Sequence, residues 1–242
     1  MPFDVARATL LASLLAAGCD RAFGLTTVTN DGDASIDLGC ATRTALLCAD
    51  FERDATYYSQ QLLLDVPLGS AAVSATVETP GANGGHALYV DSTGDTYRLE
   101  AAATAPVSQI TATFEIELAR FDATTPATSL VVLYFDQTSP CYVALDYQPT
   151  PMRLSLVANC GGTESRDLTL SLPLHTAFVP VTFVVNLAAS SGKAQLGPSS
   201  AMVPIAPQAK ALPPGVIFGF VDPVSKSGAR VGFDDLLVVT AP

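Results

Sequence analysis

In residues 109–118, QITATFEIEL, every second side chain is apolar. Ile110, Ala112, Phe114, Ile116 and Leu118 alternate with Thr111, Thr113, Glu115 and Glu117. Side chains on a strand point alternately to its two faces, so this run predicts a strand with one face in a core and the other towards solvent. Similar short runs recur at 86–90, 96–101, 129–136, 141–148, 152–160, 178–187, 216–221 and 229–239, separated by Gly, Pro, Ser and Asp. From Cys40 onward no helical period of useful length appears. Many short strands with turn residues between them predict an all-β antiparallel sandwich, and no linker or repeat divides 40–242. At 49% apolar residues the chain has material for a real core, which excludes a disordered acidic tail.

The cysteines help to set the register. CYVALDYQ (141–148) and MRLSLVANC (152–160) flank a Pro-Thr-Pro turn. If they form a hairpin whose paired numbers sum to 301, Cys141 faces Cys160. Val143, Leu145, Tyr147, Leu154, Leu156 and Ala158 then share one face, and Tyr142, Asp146, Ser155 and Asn159 share the other. A slip of one residue destroys both arrangements. A Cys141–Cys160 disulfide follows, leaving Cys40 and Cys48 to close a small loop; free buried thiols are the alternative.

The N-terminus differs from the rest. Ala8–Gly18 is an uncharged apolar stretch, about half of the ~20 residues that span a bilayer, which fits a signal-peptide core. It ends in Leu15-Ala16-Ala17-Gly18-Cys19, which resembles the lipobox of bacterial lipoproteins. The resemblance implies cleavage after residue 18, lipidation of Cys19 and a place in the bacterial cell envelope; a plain secretory signal is the alternative. The Asp-rich segment 19–39 then reads as a tether, with an end-to-end distance of roughly 25 Å if flexible. The expected organisation is a signal peptide over 1–18, a lipid-anchored tether over 19–39 and one sandwich over 40–242. Membrane attachment is through lipid alone.

The segments CADFERDATYYS (48–59), GGHALYVDSTGDTYRLEA (84–101) and ARVGFDDLLVV (229–239) are similar to parts of bacterial jelly-roll domains of the concanavalin A-like lectin/glucanase superfamily, the laminin G-like group included. This resemblance implies a two-sheet jelly roll and a binding module for glycans or envelope proteins. It would place Asp50 and Glu52 near Asp234 and Asp235, where related modules sometimes hold a structural calcium ion; hard oxygen ligands suit that cation. Paired carboxylates relieved by Arg53 or Arg230 are the competing account. The chain contains no tryptophan, so an aromatic sugar platform would fall to tyrosines, with Tyr57 and Tyr58 nearest the opening strand.

Catalysis has less support. Laminarinase-like hydrolases of this fold carry two glutamates around a Glu-Ile-Asp core, as nucleophile and acid/base. Here Glu115-Ile116-Glu117 is followed by Ala119 and Arg120 where the proton donor would stand. His86 and His175 lie in unrelated contexts, and neither nucleophile elbow nor zinc spacing is present. The net charge of −11 argues against nucleic acid and against electrostatic docking on anionic lipid. The expected function is therefore non-catalytic binding. Tyr142, Asp146, Ser155 and Asn159 on the hairpin are the glycan candidates, with Glu115 and Glu117 secondary. A protein-binding adhesion domain and a divergent hydrolase or lyase are the alternatives, and no cofactor beyond calcium is implied.

Overall fold

The computed structural model describes residues 45–52, 63–65, 73–94, 96–121, 124–136, 141–170, 177–206, 213–221 and 228–241. All of them fall in one unit, Asp37–Pro242. The signal segment 1–18, the tether 19–39, Cys19, Cys40, Tyr57, Tyr58 and His175 lie outside the described residues. Among the described residues there is no helix. Fifteen strands run in chain order: β1 (Ala45–Ala49), β2 (Leu63–Asp65), β3 (Val73–Glu78), β4 (Ala87–Ser92), β5 (Tyr97–Ala102), β6 (Gln109–Arg120), β7 (Thr128–Asp136), β8 (Cys141–Pro149), β9 (Met152–Cys160), β10 (Thr163–Asp167), β11 (Val179–Asn186), β12 (Ser191–Leu196), β13 (Ser199–Pro204), β14 (Gly215–Phe220) and β15 (Ala229–Ala241).

They form two antiparallel sheets packed as a sandwich. The eight-stranded sheet has the order β13-β12-β11-β6-β15-β4-β3, with β1 also paired to β15. The seven-stranded sheet has the order β10-β9-β8-β7-β14-β5-β2. The alternation in QITATFEIEL is realised residue by residue: Ile110, Ala112, Phe114, Ile116 and Leu118 are all buried, and the residues between them are half-exposed. Phe114 meets Phe218 of the other sheet edge-to-face at 5.2 Å, and Phe218 meets Phe233 at 5.7 Å. This cluster joins the sheets through rings whose edges and faces attract one another.

The β8–β9 hairpin has the expected register, from Cys141 opposite Cys160 to Pro149 opposite Met152. The two facing sulfurs are bonded as a disulfide. Cys48 is also disulfide-bonded. The sheets approach closely beside this hairpin, where a Cβ on Gly192 of β12 would lie 2.9 Å from Val143 Cγ1.

A carboxylate joins the open edges of the sandwich. Asp167, at the end of edge strand β10, accepts from Met202 N of edge strand β13 at 2.9 Å, and from Thr169 N and Oγ1. Partial burial raises its pKa, but these donors outweigh that and hold it below the ordinary value. The Met202 N–H is thereby kept from pairing with another chain, as an edge strand requires.

Candidate functional site

Strand pairing arranges the outer face of the seven-stranded sheet in rows. One row runs Glu100, Ile217, Val132, Ala144, Val157 and Arg166, from β5 to β10. Its four middle members are apolar and buried, Ala144 completely, although they point away from the sandwich core. The alternation of the hairpin alone suggests a solvated face here. That expectation is corrected: Val132, Ala144 and Ile217 pack with Tyr134, Tyr142 and Val221 into a second, small apolar cluster on this face.

Tyr134 and Tyr142 stand side by side on one flank, with Asn159 next to Tyr142 in the same row. Gly215 makes room for them, since a Cβ there would fall 2.3 Å from the Tyr134 ring. Tyr134 Oη donates to Glu100. The other flank is polar. Ser129 Oγ donates to Asp146 at 2.7 Å, and Arg166 reaches Glu164 at 3.0 Å, Ser155 at 3.5 Å and Asp146 at 3.8 Å. Arg98 donates to Val221 O at 3.4 Å from the far end of the sheet. Tyr142, Asp146, Ser155 and Asn159 are thus brought together as the alternation implies, though Ser155 is fully buried. Sequence reasoning missed Tyr134, Arg98, Glu100 and Arg166, because they reach this face only through long-range pairing.

Three polar atoms on this face are buried without a partner: Arg98 Nε, Arg153 Nε and Asn159 Oδ1. Native proteins leave few such atoms, because each forgoes its water without replacement.

Glu115 and Glu117 lie on the other sheet. Glu117 accepts from Tyr89 Oη at 2.7 Å. The Arg230 guanidinium lies over the Tyr89 ring at 4.3 Å and binds Glu78 at 2.6 Å and Asp91 at 3.1 Å. Arg230 is therefore spent on Glu78 and Asp91. Burial, and then the charge of Asp235, push the Glu115 carboxyl up. The two glutamates share no surface with the hairpin candidates.

Asp50, Glu52, Asp234 and Asp235 do interact, and they clamp the 80–86 loop. Asp234 Oδ2 accepts from Ala82 N at 2.8 Å, and its Oδ1 accepts from Asp235 N. Glu52 accepts from His86 N at 3.0 Å, and Asp235 accepts from Asn83 Nδ2 at 3.5 Å. The loop is tightly closed, because a Cβ on Gly81 would come within 2.7 Å of both His86 O and Asp234 Oδ2. Burial, followed by repulsion from Asp235 and Glu52, lifts Asp234 to about 6 despite its backbone donors. Asp235 is raised by burial and by Asp50 and Glu52. Among the described residues, no group of three or more His, Cys, Asp or Glu side chains is arranged to hold a metal ion. Several of these carboxylate oxygens already accept from backbone and side-chain donors of the loop.

Among solved structures, a family 7 alginate lyase in complex with product is similar to this chain. Their identity is 12% and the TM-score 0.51, over 72% of this chain and 86% of that one. A sialidase is similar at 14% identity and TM-score 0.50, over 81% of this chain but 18% of the sialidase. The binding domain of botulinum neurotoxin DC in complex with SialylT is similar at 10% identity and TM-score 0.50, over 69% and 41%. At these identities the likeness shows the fold, a jelly-roll sandwich. No family model matches the chain, and no curated protein matches it.

Proposed function

We propose that the protein is a lipid-anchored glycan-binding module of a bacterial envelope and that the outer face of the seven-stranded sheet is its binding surface. The observation that carries this reading is the make-up of this face: Tyr134 and Tyr142 packed on a small apolar cluster, with Ser129, Asp146 and Arg166 beside it. Sugars present both an apolar ring face and hydroxyls, and sites for them combine aromatic contact with a few fixed polar groups. The similar structures include a lyase solved with its product and a toxin domain solved with SialylT, so this sandwich form is used elsewhere for such ligands.

Binding rather than catalysis is favoured by how the carboxylates on this face are used. Glu100 is held by Tyr134, Asp146 by Ser129 and Arg166, and Glu164 by Arg166. Acid/base work needs a carboxyl within reach of substrate, with its proton free to move.

A glycan array probed with the mature protein tests the reading. Tyr142→Ala is expected to weaken binding about fivefold, the scale of one lost aromatic contact. Equal binding by the variant, or no binding to any glycan, removes it. The anchor is tested separately: Cys19→Ser is expected to move the protein from the detergent phase to the aqueous phase, and unchanged partitioning would dismiss lipidation.

A further inference from the structure

We infer that Asn83-Gly84, at the tip of the 80–86 loop, is a site of spontaneous deamidation, and that this change loosens the hold of Asp234 and Glu52 on the loop. The chain has four asparagines, and only Asn83 is followed by glycine. Glycine matters there because it has no β-carbon to shield its own nitrogen from the preceding side chain. Both Asn83 and Gly84 are exposed. Asn159 and Asn186 instead lie on β9 and β11, where ladders hold the backbone, and Cys160 and Leu187 follow them.

The tip has room for the reaction while the base of the loop stays closed. A Cβ on Gly84 would meet nothing within 4 Å. The base is held by Gly81 N donating to Gly85 O at 2.7 Å, by Ala82 N on Asp234 and by His86 N on Glu52. One bond guards the attacking nitrogen, from Gly84 N to Gly81 O at 3.1 Å. It lies at the exposed tip, so it opens locally and the sheets stay intact. In the reaction Gly84 N bonds to Asn83 Cγ, the Cγ–Nδ2 bond breaks, and the Gly84 amide proton leaves with Nδ2 as ammonia. Asn83 Nδ2 already donates to Asp235 Oδ2 at 3.5 Å, so the leaving nitrogen starts beside an acceptor. Water then opens the cyclic imide. Cleavage between Gly84 N and Cγ gives aspartate, and cleavage between Gly84 N and the backbone carbonyl carbon gives isoaspartate.

Either product replaces the amide donor that faces Asp235 with a carboxylate. A fifth acid then joins Asp50, Glu52, Asp234 and Asp235 and repels them. Isoaspartate also lengthens the main chain by one carbon. The loop has no slack for it at its base, where a Cβ on Gly81 would already come within 2.7 Å of His86 O and Asp234 Oδ2. The loop joins β3 to β4, whose ladder starts at Glu78 opposite Ala87, so the misfit reaches the edge of the eight-stranded sheet. The proposed glycan face belongs to the other sheet.

The test is incubation of the purified protein at mildly alkaline pH, followed by peptide mapping and by methyl labelling with an isoaspartyl methyltransferase. Isoaspartate in place of Asn83, ahead of any change at Asn159 or Asn186, is the expected result. Asn83→Gln keeps the amide but requires a larger ring, so ammonia loss there should fall about 100-fold, the scale of a misplaced nucleophile. Asn83→Asp supplies the charge without the longer backbone. It should lower the melting temperature by about 2–4 °C, and by less at high salt. The aged protein should fall further. Absence of isoaspartate in place of Asn83, with a free 80–86 peptide converting as the control, overturns the proposal. Ammonia loss from Asn83 without isoaspartate also overturns it, because direct hydrolysis would then be the route. A melting temperature that neither ageing nor Asn83→Asp lowers overturns the loosening of the loop.

Discussion

Gly219→Ala is expected to destabilise the domain by about 3 kcal/mol, a fall of roughly 6–12 °C in melting temperature for a domain of this size. Two costs combine. Gly219 has φ of 127°, a conformation that L side chains rarely adopt and that costs about 1–3 kcal/mol when forced. A Cβ there would also lie 2.3 Å from Tyr97 O and 2.8 Å from Tyr97 Cδ1. Those atoms cannot yield cheaply: the carbonyl belongs to β5, paired with β14, and the Tyr97 ring is fully buried. Gly162→Ala is the control. Gly162 has φ of 83° with nothing within 4 Å of its Cβ, so it carries strain alone and should cost about 1 kcal/mol. Urea unfolding of the two variants separates the effects, and equal losses would dismiss the steric account. The position also bears on the proposed site, because Gly219 faces Arg98 across the ladder.

The strongly alternating strands were legible because their chemistry is local. In QITATFEIEL and in the β8–β9 hairpin, both the strand and its inward face can be read from neighbouring residues. The β12–β13 meander was not legible. SGKAQL and SSAMVP are rich in small and polar residues, and they become strands because Gly192, Ala194 and Ala201 allow the sheets to approach closely. Edge strand β10, TESRD, has no apolar periodicity; it is held by its ladder to β9 and by the bonds of Asp167 to Met202 N.

The site was half legible for the same reason. Tyr142, Asp146, Ser155 and Asn159 share a hairpin face by alternation, but Arg98, Glu100 and Tyr134 join them only through the order β8-β7-β14-β5, which no local signal encodes. Ala144 and Val157 were the available clue. Two apolar residues on the supposedly polar side of a hairpin indicate a face that is not simply solvated.

The domain should be more stable at pH 5 than at pH 7.5, by about 2 kcal/mol. Asp234, Asp235 and Glu115 are all raised by burial and by neighbouring carboxylates. A carboxyl whose folded pKa exceeds its unfolded one binds its proton more tightly in the native state, so stability rises as the pH falls through the interval between the two. For Asp234 that interval runs from 3.8 to about 6. Descending from pH 7.5 to 5 therefore recovers about 1.4 kcal/mol from this group, with smaller additions from the other two. The gain ends below about pH 4, because Glu78 and Asp167 are held below their ordinary values and lose that stabilisation once protonated. Asp235→Asn should raise stability at pH 7.5 by about 1 kcal/mol and flatten the dependence. It removes a charge that repels Asp50, Glu52 and Asp234, and asparagine accepts the left-handed backbone at this position, where φ is 50°. Asp234→Asn should flatten the profile too, but at a cost. Both oxygens of Asp234 accept backbone N–H groups, and an amide can present only one acceptor to Ala82 and Asp235. Melting temperatures of the three proteins from pH 4 to 8 distinguish these effects. A wild-type profile that rises towards pH 8 would mean that the cluster is neutralised by some group other than the proton.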